Sequence, residues 1–341
     1  MFSQLTIISN ESIFKDGEAF YCDNIDLKSI PEGLSKNFEI INIGRQSKIK
    51  RTHKINLVKN KIASNIFIFL LKIFKTYKDR TVNYLLISIT PYTFFAYLLL
   101  FLSKKKIFVY LRSNGYEEYK HIFGVFGSFL YHVMFTIISW KANFISCRPH
   151  LLNGKSGKIV SPSQLSNKWF HSHKKPNLNK IQLLYVGRIK VEKGIFSLLK
   201  IIKNLNMDIQ LTIVGAGKNN NNHNLEQKNV SVIDFENKDD SIIQLYDAHN
   251  IFILPSFTEG HPQVLDESLS RLRPVIIFEE ISHVIGNRKG VFVSERNSTS
   301  LSKTISHIMN NYYSIEKKII NNTLPTKENF LKEISNAIKG N

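Results

Sequence analysis

The sequence predicts an α/β protein built from two doubly wound, parallel-sheet domains that face each other across a cleft. Three observations carry this. Strand-like apolar runs alternate with helix-length segments through most of the 341 residues, which is the pattern of a parallel sheet covered on both faces. One stretch breaks the alternation: LSNKWFHSHKKPNLNK at 165–180 is polar, basic and aperiodic, the composition of a linker. Beyond it a fresh strand opens at IQLLYVG, 181–187. With 43% hydrophobic residues, both halves have enough apolar side chain for a core. The expected layout is an amino-terminal domain over 1–170, a second domain over 178–325, and a carboxyl-terminal helix over 326–341.

In the first half, LTIIS at 5–9 and EIIN at 39–42 read as strands. A helix is expected over 62–76, then a strand at 84–88 (YLLIS) and an apolar helix over 92–102 after Pro91. KIFVYLR at 106–112 is the next strand, followed by the apolar run HIFGVFGSFLYHVMFTIISW at 121–140 and strands at 142–147 and 158–160. The 121–140 run is long enough to cross a bilayer, but it also fits a helix buried in the domain or lying in a membrane interface. In the second half, strands are expected at 181–187, 209–215, 229–235, 250–255, 274–278 and 290–294. Helices fit 193–205, 239–246, 262–272, 300–310 and 328–338. In such sheets ligands bind beyond the carboxyl ends of the strands.

The charge is one-sided. Residues 1–177 carry 26 Lys/Arg against 10 Asp/Glu, and residues 178–341 carry 20 against 17. Basic residues interleaved with apolar helices suit an anionic membrane surface better than a nucleic-acid groove, so no nucleic-acid partner is expected. The first ten residues, MFSQLTIISN, lack the basic start and apolar run of a signal peptide. Cys22 and Cys147 lie far apart in sequence, with no spacing that builds a zinc site or a disulfide framework. The histidines show no ligand spacing, and no DxD sequence is present to hold a divalent ion against a diphosphate, so no metal site and no cofactor are expected.

Three stretches carry candidate chemistry. In GRIKVEKG, 187–194, Gly187 ends a strand, and Arg188 and Lys193 stand at the mouth of a helix. Two cations beside helix amides make a diphosphate site, although a solvated loop is the alternative. In IVGAG, 213–217, Gly215 and Gly217 permit a tight turn that serves either packing or ligand approach. In PSFTEGHPQVLDESL, 255–269, a strand ends at Pro255 and the loop carries Glu259, Gly260 and His261. Pro262 suits the first turn of the following helix. Glu259 and Glu267 can each accept bonds from two hydroxyls of a sugar or ribose, and the Gly260–His261 amides can hold hydroxyls. Asp266 and Glu267 as ordinary helix-surface acids is the competing reading.

Taken together, these motifs resemble the retaining GT-B glycosyltransferase family numbered four, the group 1 glycosyltransferases. The signature G-R-x-x-x-x-K-G falls on Gly187, Arg188, Lys193 and Gly194, and E-G-F-P-x-x-x-x-E on Glu259, Gly260, His261, Pro262 and Glu267. Gly215 and Gly217 lie between them in the expected order. The resemblance covers roughly 180–310. It implies a GT-B fold, with the first domain on the acceptor side and the second binding a nucleotide sugar. It implies that Arg188 and Lys193 hold the donor diphosphate, Glu259 the sugar hydroxyls near the reacting carbon, and Glu267 the ribose. Gly187, Gly215, Gly217, Gly260 and His261 complete the donor site, and Glu259, Arg188 and Lys193 are the catalytic candidates. The expected activity is transfer to a glycan or polyprenyl-linked acceptor in surface polysaccharide synthesis, by a cytoplasmic protein held peripherally on the inner face of the membrane. A nucleotide-sugar 2-epimerase and a non-catalytic binder of anionic ligands are the alternatives. The sequence departs from the family pattern at His261, where Phe is usual, at Leu272–Arg273 before Pro274, and at RSNGYEEY, 112–119, where a His-Gly pair is common.

Overall fold

The computed structural model describes residues 3–57, 59–77, 83–216, 228–234 and 239–340. They form two compact units, residues 1–164 with 327–341, and residues 165–326. The first unit contains β1 (Gln4–Asp16), β2 (Ala19–Cys22), α1 (Ile25–Leu34), β3 (Glu39–Gln46), β4 (His53–Ile55) and β5 (Asn60–Ala63). It continues with α2 (Ile66–Thr76), β6 (Asn83–Ile87), α3 (Pro91–Phe101), β7 (Ile107–Leu111), α4 (Gly115–Ile138), β8 (Asn143–Ser146) and β9 (Gly157–Ile159).

Its sheet runs β4-β2-β1-β6-β7-β8-β9 among the described residues, with β3 beside β1 and β5 beside β3. The sheet is parallel as expected except at one edge, where β2 pairs with β1, and β4 with β2, in antiparallel register. The cause is a tight hairpin in which Lys15 faces Phe20 and Asp16 faces Ala19, with Gly17 at φ 55 supplying the left-handed residue such turns need. The segment expected as one helix from 62 to 76 instead begins as β5 and becomes helical only after Asn65, whose side chain caps Ile68 N. The helix α3 starts on a capping box between Thr90 and Thr93 with Pro91 in its first turn.

The apolar run at 121–140 is not one straight helix. Gly124 takes φ 64 and ψ −151 inside α4, a backbone shape open to glycine alone. The chain then returns along itself. Tyr116 Oη lies 3.1 Å from His132 Nδ1, although 16 residues of straight helix would separate them by about 24 Å. Ser128 Oγ donates to Tyr116 O, and a Cβ on Gly127 would stand 2.0 Å from Tyr119 O. The result is a helical hairpin with Gly124 at its corner. No helix among the described residues is long and apolar enough to cross a membrane.

The second unit contains β10 (Ile181–Val186), α5 (Ile195–Lys203), β11 (Ile209–Ala216), β12 (Val230–Asp234), α6 (Asp239–Ala248) and β13 (Ile251–Leu254). It ends with α7 (Gln263–Ser270), β14 (Val275–Phe278), β15 (Val291–Ser294), α8 (Ser298–Asn310) and α9 (Tyr312–Ile319). Its six described strands run β12-β11-β10-β13-β14-β15, all parallel. The last helix, α10 (Lys327–Lys339), expected as a separate tail, belongs to the first unit. Its Phe330, Ile334 and Ile338 join the core beside Leu5, Ile30 and Tyr110.

The stretch at 165–180 does not behave as a free linker. Arg271 and Arg273, both fully buried, reach it from the end of α7. Arg271 forms a bidentate pair with Asp247 at 3.0 and 2.9 Å and donates to the carbonyls of Trp169, His171 and Ser172. Arg273 donates to Lys174 O and Tyr246 O. Trp169 packs edge-on against Tyr246, and the exposed His173 bonds Ser270 O at 2.9 Å. The chain therefore enters the second unit at 165, not at 178. Removing one partner of a buried ion pair leaves an uncompensated charge. Arg271→Ala is therefore expected to lower the unfolding free energy by about 3–5 kcal/mol, read by urea denaturation. A loss within about 0.5 kcal/mol, the range of ordinary surface substitutions, would remove this clamp from the account.

Candidate donor-binding site

The carboxyl edge of the second sheet is shaped by backbone contacts that leave no space for side chains. Gly187 N donates to Val214 O, and a Cβ on Gly215 would stand 2.0 Å from Gly187 O. Gly215, at φ 128, therefore serves the approach of two strand ends. Gly217 lies outside the described residues. Gly194, at φ 68, abuts Pro255, whose carbonyl oxygen would be 1.8 Å from a Cβ there. That contact, with Phe257 N donating to Glu192 O at 3.0 Å, holds the loop after β10 against the loop after β13.

The consequence is electrostatic. Lys193 Nζ reaches Glu259 Oε1 at 2.6 Å, and the same oxygen accepts Ser256 Oγ at 2.7 Å. The two signature motifs, 66 residues apart in sequence, thus meet as an ion pair. Lys193 retains two donors for a ligand phosphate, and Glu259 retains Oε2 for hydroxyls. His283 Nε2 lies 2.9 Å from Glu259 O and steadies the loop from the far side. The side chain of Arg188 is exposed, and its carbonyl accepts Tyr185 Oη at 2.8 Å. Burial, with the nearby Glu259 charge, pushes the Tyr185 phenol above its ordinary range, so Tyr185 remains a donor.

The two acids of α7 have different roles. Asp266 is buried and bound through both oxygens by Arg288 at 2.5 and 2.9 Å, which removes it from the helix surface. His261 Nε2 is 3.9 Å from Asp266 Oδ2. Glu267 is half-buried and accepts Tyr246 Oη at 2.9 Å. Burial, reinforced by the Glu267 charge, holds the Tyr246 phenol well above its usual value, so the proton stays on Tyr246 and fixes one carboxylate oxygen of Glu267. Pro262 sits at the N-cap of α7, one position earlier than expected. A side chain on Gly260 would meet nothing within 4 Å.

Several contributors escaped the sequence reading: Ser256, Tyr246, Tyr185, His283 and Arg296. Arg296 is stacked on Phe257 and Phe278, at 4.2 and 4.4 Å from the ring centres. It bonds Glu280 at 2.6 Å, which lowers that carboxyl below its usual range. None of the five sits in a spaced motif, and only contacts reveal them. In the first unit, RSNGYEEY builds a pocket of about 270 Å³ lined by Asn114, Gly115, Tyr116, Tyr131, His150 and Asn153. Arg112 lies outside this lining, 3.6 Å from Asp26.

Residues 167–324, nearly the whole second unit, match the family described as glycosyl transferases group 1. The chain is a relative of the group 1 glycosyltransferases, with the GT-B fold. WaaG, a glycosyltransferase involved in lipopolysaccharide biosynthesis, superposes with a TM-score of 0.70 at 12% identity, over 98% of this chain and 100% of that one. Anabaena HepE in complex with UDP-glucose gives 0.68 at 11% identity, over 98% of each chain. By sequence, the chain is 29% identical over 36% of its length to TuaC of Bacillus subtilis, named for teichuronic acid biosynthesis, of which it spans 31%. It is 27% identical over 48% of its length to a Campylobacter jejuni N-acetyl-D-galactosaminyltransferase named for a diNAcBac-PP-undecaprenol-linked glycan, of which it spans 47%.

The glycines of the second unit divide by what crowds them. Gly194→Ala and Gly215→Ala force backbone apart and are expected to destabilise the unit by more than about 1 kcal/mol. Gly260→Ala fits in open space and is expected to leave the melting temperature unchanged while weakening nucleotide-sugar binding, because the added methyl occupies space a ligand would use. Thermal melts beside calorimetry with nucleotide diphosphates check this. A melt lowered in Gly260→Ala, or donor binding left intact, contradicts it.

Proposed function

We propose that this chain transfers a sugar from a nucleotide-diphosphate sugar to a glycan or lipid-linked glycan, with retention of anomeric configuration and without a metal ion, in surface polysaccharide synthesis. The observation that carries the reading is the 2.6 Å contact between Lys193 and Glu259, which brings a diphosphate-type cation and a hydroxyl-binding carboxylate to one strand edge. The pathway reading draws on TuaC and the Campylobacter enzyme, whose names concern teichuronic acid biosynthesis and a glycan linked to undecaprenol through a PP group. Lys193 and Arg188 stabilise the charge that grows on the departing diphosphate. Glu259 orients the donor sugar, and Glu267, held by Tyr246, takes the ribose. The bond from the anomeric carbon to the diphosphate breaks as the acceptor oxygen bonds that carbon on the same face. The acceptor proton passes to the leaving phosphate oxygen, so no side-chain nucleophile is required.

Transfer assays with a panel of nucleotide sugars, run in EDTA, test the reading. Arg188→Ala and Lys193→Ala, checked for folding, are each expected to lose about 100-fold in kcat/KM, equal to about 2.7 kcal/mol. Near-normal rates in both, or activity abolished by EDTA and restored by magnesium, would overturn it. Donor turned over to an epimerised sugar without acceptor would point to a 2-epimerase, a chemistry found on the same fold at a TM-score of 0.55.

The two acids separate by assay. Glu259→Gln is expected to cut transfer by at least about tenfold while nucleotide-diphosphate affinity stays near normal. Glu267→Gln is expected to weaken nucleotide binding itself, read by calorimetry. The opposite pattern would exchange their roles.

A further inference from the structure

The helices α2, α3 and α4 cover one face of the first sheet and touch one another in that order. They bury Phe69, Ile73, Ala96, Leu100, Met134 and Ile138 against it. One such face is all that an amphipathic helix needs to fold. Yet α2 also carries a second stripe, Phe67, Leu71 and Phe74, and α3 another, Phe95 and Leu98 with Leu102 at its end, all exposed. Their spacings of three and four residues place each stripe on one side of its helix. The hairpin within α4 ends in an apolar corner, where Val125 is 81% and Phe126 69% exposed beside Gly124. Scattered surface hydrophobics are ordinary, but second stripes on neighbouring helices are not.

The charge along α2 and α3 is basic. Among the described residues of 61–106 there are six Lys/Arg and no acid, with Lys75, Lys104 and Lys106 exposed at the ends of the two helices, while Glu117 and Glu118 stand in the first turn of α4, before the Gly124 corner. Lys141 is committed elsewhere, donating to the carbonyls of Phe101 and Ser103 at the end of α3. We propose that this face docks on an anionic lipid bilayer, with the Gly124 corner entering the boundary between headgroups and acyl chains and the lysines meeting headgroup phosphates. A second copy of the chain is the competing occupant, but pairing two such faces would bring like charges together. The attachment is peripheral, because Gly124 folds back the one run long enough to span. The proposal does not depend on the donor-site reading, and its test reads binding, not transfer.

The test is cosedimentation of the full chain with vesicles of phosphatidylcholine alone and of phosphatidylcholine with phosphatidylglycerol, in low and high salt. The expected result is binding to the mixed vesicles only, weakened by salt. Two variants on exposed positions, Lys104→Glu with Lys106→Glu and Val125→Ser with Phe126→Ser, are each expected to bind about tenfold more weakly or worse, with unchanged circular dichroism. Absence of binding to the mixed vesicles, or both variants binding like the parent chain, would overturn the proposal. So would a lipid-free dimer, seen by sedimentation equilibrium, that the Val125→Ser, Phe126→Ser variant splits.

Discussion

The donor-side architecture depends on backbone approaching backbone where no Cβ fits. Gly215 against Gly187 closes the ends of β10 and β11, and Gly194 against Pro255 closes the loop after β10 onto the end of β13. These contacts fix where the loops begin, and so where Lys193 and Glu259 meet. A side chain at Gly194 would push the loop outward, and the ion pair would be lost without any change to its two partners. The glycines of this edge are therefore structural causes of the charge geometry.

A second constraint lies beneath this edge. Arg271, Arg273 and Asp247 are buried together, and burying charge is costly unless every partner is satisfied. Here the carbonyls of residues 169, 171, 172 and 174 supply partners, so an otherwise irregular segment is tied to α6 and α7. Tyr246 stands in the same neighbourhood. Its carbonyl accepts Arg273, and its hydroxyl holds Glu267. The clamp that fixes the chain's entry into the unit thus also supports one of the two acids of the site. Leu272, lying between the two arginines, takes φ 60, a strained shape for a branched side chain, in a turn that points both flanking guanidinium groups inward.

The first unit has a different balance. Its helices carry more apolar surface than its sheet can cover, and its hairpin corner is apolar where solvent-facing turns are ordinarily polar. The fold satisfies its backbone at Gly124 by returning the helix on itself, packing Gly127 against Tyr119 and Gly115 under the Tyr131 ring. The same return builds the small pocket around Tyr116 and Asn153. One glycine conformation therefore shapes both a pocket and an exposed tip.

Much of this was legible in the sequence. Strand and helix alternation is written in local periodicity, so the α/β class and the six parallel strands of the second unit could be read directly, though not their order in the sheet. The spacing of Arg188, Lys193, Glu259 and Glu267 marked the site, because strand ends and helix starts are local events. What the sequence alone left open was decided by contacts between residues distant along the chain. The stretch 165–180 read as a linker because the side chains that tie its carbonyls, Arg271 and Arg273, lie about a hundred residues away. The 121–140 run admitted spanning, interfacial and buried readings, because hydropathy measures composition and not direction, and only the positive φ of Gly124 reverses the chain. Asp266 and Glu267, adjacent and chemically alike, were told apart only by which side of α7 meets Arg288 and which meets Tyr246.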